Sequence, residues 1–255
     1  MDFEKILNRH KRVLFLFSGG KDSVAVYHLI KPYLDRIIVG FVDTGDSAPE
    51  ILSYIEKIEE QTPNFIRYNS DVKAWIKENG HPSDVVPVEY TTEGHLFGSP
   101  KELKVTSYFS CCNANIWEPL AKLAHHVRAD AIITGQRDDD EHKSPIKNGS
   151  FDGSFYHYYP LLDWDEDQVR EYIKEQGETD ARFDLDHTSI DCLTCTAYCA
   201  SQPERMAYVR KRYPDRYAEM VATLTDIQGA VVSEMAGMYA LIKGYSNLDE
   251  EQDEV

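Results

Sequence analysis

Five extended runs, each followed by turn or helix chemistry, constrain this chain more than any other feature. They read "RVLFLF" (12–17), "RIIVGFVD" (36–43), "NFIRYN" (64–69), "RADAIITGQR" (128–137) and "FYHYYPLLDW" (155–164). The first, a short continuous apolar run, is what a strand covered on both faces requires. Between the runs the period changes. Lys21 to Leu34 carries Val24, Val26, Tyr27, Leu29 and Ile30 at helical spacing, and a second helix is predicted from about Pro49 to Gln61, capped by Asp46 or Ser47. Strands alternating with helices need crossover connections, so the expected fold is α/β, a doubly wound, mostly parallel five-stranded sheet. Ligands of such sheets lie beyond the carboxyl ends of the strands, where "SGGKDS", "DTG" and "TGQR" all fall.

The string "FSGGKDS" (17–23) closes the first strand. Gly19 and Gly20 let backbone N–H groups approach an anion without interference from a Cβ. The helix that follows turns its positive end to the same place. Lys21 supplies a point charge, Ser18 and Ser23 supply hydroxyl donors, and Asp22 either holds Mg²⁺ or caps the helix. The pattern is neither a Walker A loop nor a G-x-G-x-x-G turn.

"SGGKDS" resembles the PP-loop of the ATP pyrophosphatase (adenine nucleotide alpha hydrolase-like, HUP-like) superfamily. The resemblance implies ATP with Mg²⁺ as ligand and adenylation of an acceptor with release of pyrophosphate. It places Asp43 of "FVDTG" near the adenosine, Gly135 of "TGQR" in the nucleotide pocket, and Arg137 against a phosphate or sulfate. Lys21, Asp22 and Arg137 become the catalytic candidates; Ser18, Gly19, Gly20, Ser23, Asp43 and Gly135 complete the binding set.

The five cysteines, Cys111, Cys112, Cys192, Cys195 and Cys199, are an odd number with no secretory leader, which argues against a disulfide framework. Two pairs of thiolates suffice for a Cys₄ site holding iron–sulfur or zinc. The order "CCNANIWEPL", "ITGQR", "YPLLDWDEDQVREYI", "SIDCLTCT" is similar to the cluster-bearing branch of the phosphoadenosine phosphosulfate reductase family, over residues 12 to 197. That resemblance implies a [4Fe-4S] cluster on Cys111, Cys112, Cys192 and Cys195, with Cys199 left as a small buried hydrophobe or a substitute ligand.

Two departures from that family matter. No cysteine follows Cys199, and Lys21 and Asp22 are retained. Both favour ATP activation coupled to iron–sulfur-dependent sulfur transfer. A sulfonucleotide reductase using an external thiol, and a non-catalytic nucleotide-and-cluster subunit of a larger complex, stay open. So does the acceptor, a small molecule or a nucleic acid, along with a sulfur-donor or reductant protein and a homodimer.

The formal charge of −17 gives no help to a long polyanionic partner, although a local basic groove could still exist. No apolar run reaches the roughly 20 residues of a membrane helix, so a cytoplasmic protein is expected. The predicted organisation is a nucleotide-binding domain over 1–187, a cysteine motif and helical annex over 188–247, and an acidic, frayed tail over 248–255. In "RDDDEHKSPIKNGS" (137–150), Asp138, Asp139 and Asp140 read as a solvated loop or a metal site, and Lys143 and Lys147 as substrate contacts. Asp163 with Glu166 reads as a helix cap, with Trp164 packing beside it. His95, His125, His126, His157 and His187 show no metal-ligand spacing.

Overall fold

The strands order as β3 (Phe65–Asn69), β2 (Ile37–Asp43), β1 (Val13–Leu16), β6 (Ala131–Ile133) and β7 (Tyr156–Tyr158) in a sheet whose pairings are all parallel. The computed structural model describes residues 3–98, 101–140, 143–184, 190, 192–199 and 202–252. Strands β4 (His81–Ser83) and β5 (Val105–Ser107) pair apart from that sheet. The described helices are α1 (Phe3–Arg9), α2 (Lys21–Ile30), α3 (Pro49–Gln61), α4 (Val72–Asn79), α5 (Thr92–Phe97), α6 (Tyr108–Cys112), α7 (Glu118–His126), α8 (Glu166–Glu175), α9 (Pro203–Arg212) and α10 (Pro214–Gln252).

The chain forms two compact units. One takes residues 1–72 and 113–193 and holds the five-stranded sheet; the other takes 73–112 and 194–255. The predicted division at 187–188 lies beside residues 185–189, which are outside the described ones, as is His187.

In the first unit the core follows from the sequence. Val13, Leu14 and Phe15 are buried, as a central parallel strand demands, and Leu123 and Ala124 of α7 pack with Leu14 and Ile132. Gly40 of β2 permits that packing, because a Cβ there would stand 2.5 Å from Leu123 Cδ2 and 3.1 Å from Leu14 Cδ1. The connections run from β1 outward to β3 on one side and to β6 and β7 on the other. The topological switch point therefore falls between β1 and β6, where a parallel sheet opens a crevice.

Several expected boundaries shift. Helix α2 ends at Ile30, and a 3₁₀ turn over Lys31–Tyr33 carries Pro32, whose preceding residue resists continuing the α-helix. Helix α3 has Ala48, not Asp46 or Ser47, at its N-cap, with no side-chain cap. Asp46 is buried, and its carbonyl accepts from Leu193 N–H at 2.8 Å. The cap of α8 is Asp165, in a reciprocal capping box with Gln168, and Glu166 is not part of it. Trp164 packs edge-on against Tyr172. Helix α10 continues through Gln252, so most of the acidic tail read as frayed is helical.

Among the described residues, no helix is long and apolar enough to cross a membrane.

Candidate nucleotide site and cysteine loop

The turn from β1 into α2 is held by its own hydroxyls. Gly19, at φ +80°, donates its N–H to Ser23 Oγ at 3.0 Å, and Gly20 donates to Ser18 Oγ at 3.3 Å. Ser23 Oγ in turn donates to Gly20 O at 2.9 Å. The glycine at 19 is required twice over, since its φ is left-handed and a Cβ would stand 3.2 Å from Ile55 Cδ1. Gly20 caps α2 with no side-chain partner, so the positive end of a ten-residue helix meets the turn.

A cavity of about 280 Å³ opens at the switch point. Leu16, Phe17, Ser18, Asp22 and Ser23 line it from the β1 side and Thr134, Gly135 and Gln136 from the β6 side; Phe41, Ile116 and Leu120 add apolar wall. Gly135 is there because there is no room for more. A Cβ would lie 3.0 Å from the carbonyl carbon of Asp22 and 3.1 Å from its Cβ. Asp43 stands at the end of β2, where Oδ1 accepts from Gly45 N–H at 2.9 Å and Oδ2 lies 3.7 Å from Arg67. Its neighbours Val42 and Thr44 line the cavity.

The charged residues form one network. Lys21, only 9% exposed, places Nζ 3.5 Å from Asp22 and 3.2 Å from Glu166. Arg137 is 1% exposed. Its Nε is 3.4 Å from Asp22 and 3.1 Å from Asp139, and its Nη2 is 3.3 Å from Asp140 and 3.0 Å from Glu166. Arg170 joins at 2.9 Å from Glu166. Burial works against the charge of Arg137, and Asp22, Glu166, Asp140 and Asp139 outweigh it, lifting its pKa above the ordinary arginine value. Asp22 is raised above the usual carboxylate range, chiefly by burial, with Lys21 and Arg137 pulling back. Its Oδ1 is buried with no hydrogen-bond partner, as is Arg137 Nη1.

Arg137 is thus enclosed by carboxylates, which is where the structure places the residue expected to face a phosphate or sulfate. Asp139 and Asp140 serve that enclosure, while Asp138 accepts from Lys143 at 3.4 Å. Glu166 was legible only as a cap.

In the second unit Cys111 is buried in α6, and Cys112 Sγ lies 3.8 Å from Tyr198 OH. Burial pushes the Cys112 thiol up, Tyr198 opposes it, and Cys195 adds to it. Tyr198 has φ +60° and turns a loop that Arg205, 2% exposed, holds from within. Arg205 donates from Nη1 to Cys195 O at 2.9 Å and from Nη2 to Ala197 O at 2.5 Å. Cys199, also raised by burial, has Sγ 3.9 Å from Arg205 Nη2 and 3.9 Å from Met206 Sδ. In the first unit, Cys192 Sγ lies 3.6 Å from Thr44 Oγ1. Thiols are suitable donors for iron or zinc. Among the described residues, no group of three or more His, Cys, Asp or Glu is arranged to hold a metal ion.

The phosphoadenosine phosphosulfate reductase domain family matches residues 12–198. The sulfate adenylyltransferase subunit 2 of Streptomyces lavendulae is 35% identical over 60 residues, which are 22% of this chain and only 19% of that protein. A crystal structure of the phosphoadenylyl-sulfate (PAPS) reductase of Candida auris, in a phosphate complex, superimposes with a TM-score of 0.48 at 18% identity. That superposition covers 70% of this chain and 79% of the other.

Proposed function

The chain belongs to the phosphoadenosine phosphosulfate reductase domain family, and from that premise we propose that it binds ATP in the switch-point cavity and adenylates an acceptor destined for sulfur transfer. The observation that carries this reading is the composition of the cavity. Ser18, Asp22 and Ser23, beside the start of α2, line it together with the apolar side chains of Phe41, Ile116 and Leu120. Hydroxyls beside a helix N-terminus suit a polyphosphate, and apolar walls suit a purine.

In the proposed reaction a nucleophilic atom of the acceptor attacks the α-phosphorus of ATP. The bond from that phosphorus to the bridging oxygen breaks, and pyrophosphate leaves with both bonding electrons. Lys21 and the turn amides oppose the charge that collects on the leaving group. For this Lys21 exchanges Glu166 for a phosphate oxygen. Four carboxylates face Lys21, Arg137 and Arg170, so a bare polyphosphate meets net negative charge. Magnesium, when bound, neutralises phosphate charge, and Asp22, whose buried Oδ1 lacks a hydrogen-bond partner, fits as its oxygen donor. Cys111, Cys112, Cys192 and Cys195 are the thiols that would hold an iron–sulfur cluster, whose contribution would be to bind or deliver sulfur.

Calorimetry with ATP and Mg²⁺ on the wild type and Lys21→Ala tests the reading, with pyrophosphate release followed in parallel. Saturable ATP binding lost in the variant is expected. Absence of ATP binding, together with sulfite release from adenosine phosphosulfate in the presence of thioredoxin, would replace it with a sulfonucleotide reductase.

A further inference from the structure

We propose that Arg182 is the positioning residue of the phosphate turn, fixing the peptide between Gly19 and Gly20 in the orientation that receives a polyphosphate; this rests on the nucleotide reading above. Arg182 lies 163 residues from that peptide and donates from Nη1 to Gly19 O at 2.6 Å. Its Nε donates to Asp180 Oδ2 at 3.0 Å. The guanidinium carbon lies 4.7 Å from the ring centroid of Tyr54 and 4.4 Å from that of Phe183. The side chain is 3% exposed, and Nη2 is buried with no hydrogen-bond partner.

A trans peptide is planar, and its C=O and N–H point in opposite directions. Holding Gly19 O on Arg182 therefore aims Gly20 N–H the other way. That N–H has only a long bond of 3.3 Å to Ser18 Oγ, which an anion oxygen could displace. Locally, that long bond alone is a weak hold on this orientation. Two successive glycines, the first at φ +80°, can turn the intervening peptide over at small cost. The fork, anchored on Asp180 and set against two mutually perpendicular rings, supplies the constraint the glycines lack. A guanidinium with one orphaned nitrogen is an expensive way to satisfy one buried carbonyl. Its placement makes sense if the peptide's direction matters.

The test uses Arg182→Met and Arg182→Lys in the full chain, read by calorimetry with inorganic pyrophosphate and with ATP, by ligand-observed NMR with adenosine, and by thermal melting. The expected result for folded Arg182→Met is a loss of about ten-fold or more in pyrophosphate and ATP affinity. Adenosine binding should be unchanged, and Arg182→Lys should be intermediate. Pyrophosphate affinity within about two-fold of wild type overturns the proposal. So does an equal loss for adenosine, because general loosening would not separate the two ligands. Should Arg182→Met fail to fold, Arg182→Lys decides, since one ammonium cannot hold Asp180 and Gly19 O together; pyrophosphate affinity equal to wild type overturns the proposal. If the wild type binds neither ATP nor pyrophosphate, the nucleotide reading itself falls, and Arg182 with it.

Discussion

Glu166 Oε1 lies 3.2 Å from Lys21 Nζ. The other oxygen of the same carboxylate is 3.0 Å from Arg137 Nη2, and Arg170 completes the set at 2.9 Å. One acidic residue at the start of α8 thus occupies the lysine proposed to meet an arriving phosphate. Partly buried charges compete more strongly than surface ones, because less water screens them. Glu166→Gln keeps an oxygen for Arg137 and removes the charge facing Lys21. It is expected to raise affinity for ATP with Mg²⁺ by about three- to ten-fold in a calorimetric titration. Unchanged or weaker binding would show that Glu166 does not compete for the site.

Gly135→Ala and Gly40→Ala separate the site from the core. A Cβ at 135 would press on the carbonyl carbon, Cβ and oxygen of Asp22 at 3.0–3.1 Å, in the first turn of α2, where backbone has little freedom to retreat. At 40 the obstruction is Leu123 Cδ2 at 2.5 Å, the end of a side chain remote from the turn. Both substitutions should cost about 1–3 kcal/mol of stability. Only Gly135→Ala should also weaken pyrophosphate binding by folded protein. Denaturant melts paired with calorimetry distinguish them, and equal ligand affinity in the two variants would contradict this account of Gly135.

The loop before β7 gives a pH dependence of known sign. Asp152 Oδ1 accepts from Ser154 N–H at 2.7 Å and Phe155 N–H at 2.8 Å, and Oδ2 lies 2.7 Å from His157 Nε2. Burial alone would raise this carboxyl, but the two amides and His157 prevail and hold it below its ordinary 3.8. The folded protein therefore binds the proton less tightly than the unfolded chain does. The resulting stability is fully present above about pH 4 and is lost as pH falls through the lowered native value. Urea midpoints should show Asp152→Asn about 1 kcal/mol less stable at pH 7, with the gap closing below pH 3.8. A gap constant down to pH 3 would exclude the linkage.

The sheet and its loops were legible because their causes are local. "RVLFLF" can only be comfortable between two layers, and two glycines before Lys21 can only be a turn. What the sequence hid are pairings made at a distance. Glu166 sits 29 residues from Arg137, Arg182 163 residues from Gly19, and Arg205 10 residues from Cys195, with no periodicity to announce any of them. Strand β4 reads "HPS", with neither apolar alternation nor β-branched residues, so nothing local marks it. The cap of α3 failed as a prediction because the helix begins at Pro49 directly after Ala48, whose extended backbone takes the N-cap position with no side-chain oxygen to offer.

The cysteines supply the last test, because the loop that carries them is built unequally. Arg205 grips the carbonyl of Cys195, and Tyr198 at φ +60° turns its hydroxyl to within 3.8 Å of Cys112 Sγ. Cys199 lies beside the Arg205 guanidinium and Met206. A cation next to a thiol favours a thiolate, yet a thioether and burial around it suit a small packed side chain. Anaerobically purified protein is expected to carry about four irons and four sulfides per chain. Cys112→Ser and Cys195→Ser should abolish both, and Cys199→Ser should retain them with a modest loss of melting temperature. Arg205→Met should lose iron together with loop order, since this one guanidinium holds the carbonyls of Cys195 and Ala197 at once. Zinc alone in the wild type would overturn the cluster assignment. Iron lost in Cys199→Ser but kept in Cys192→Ser would move the fourth ligand to Cys199.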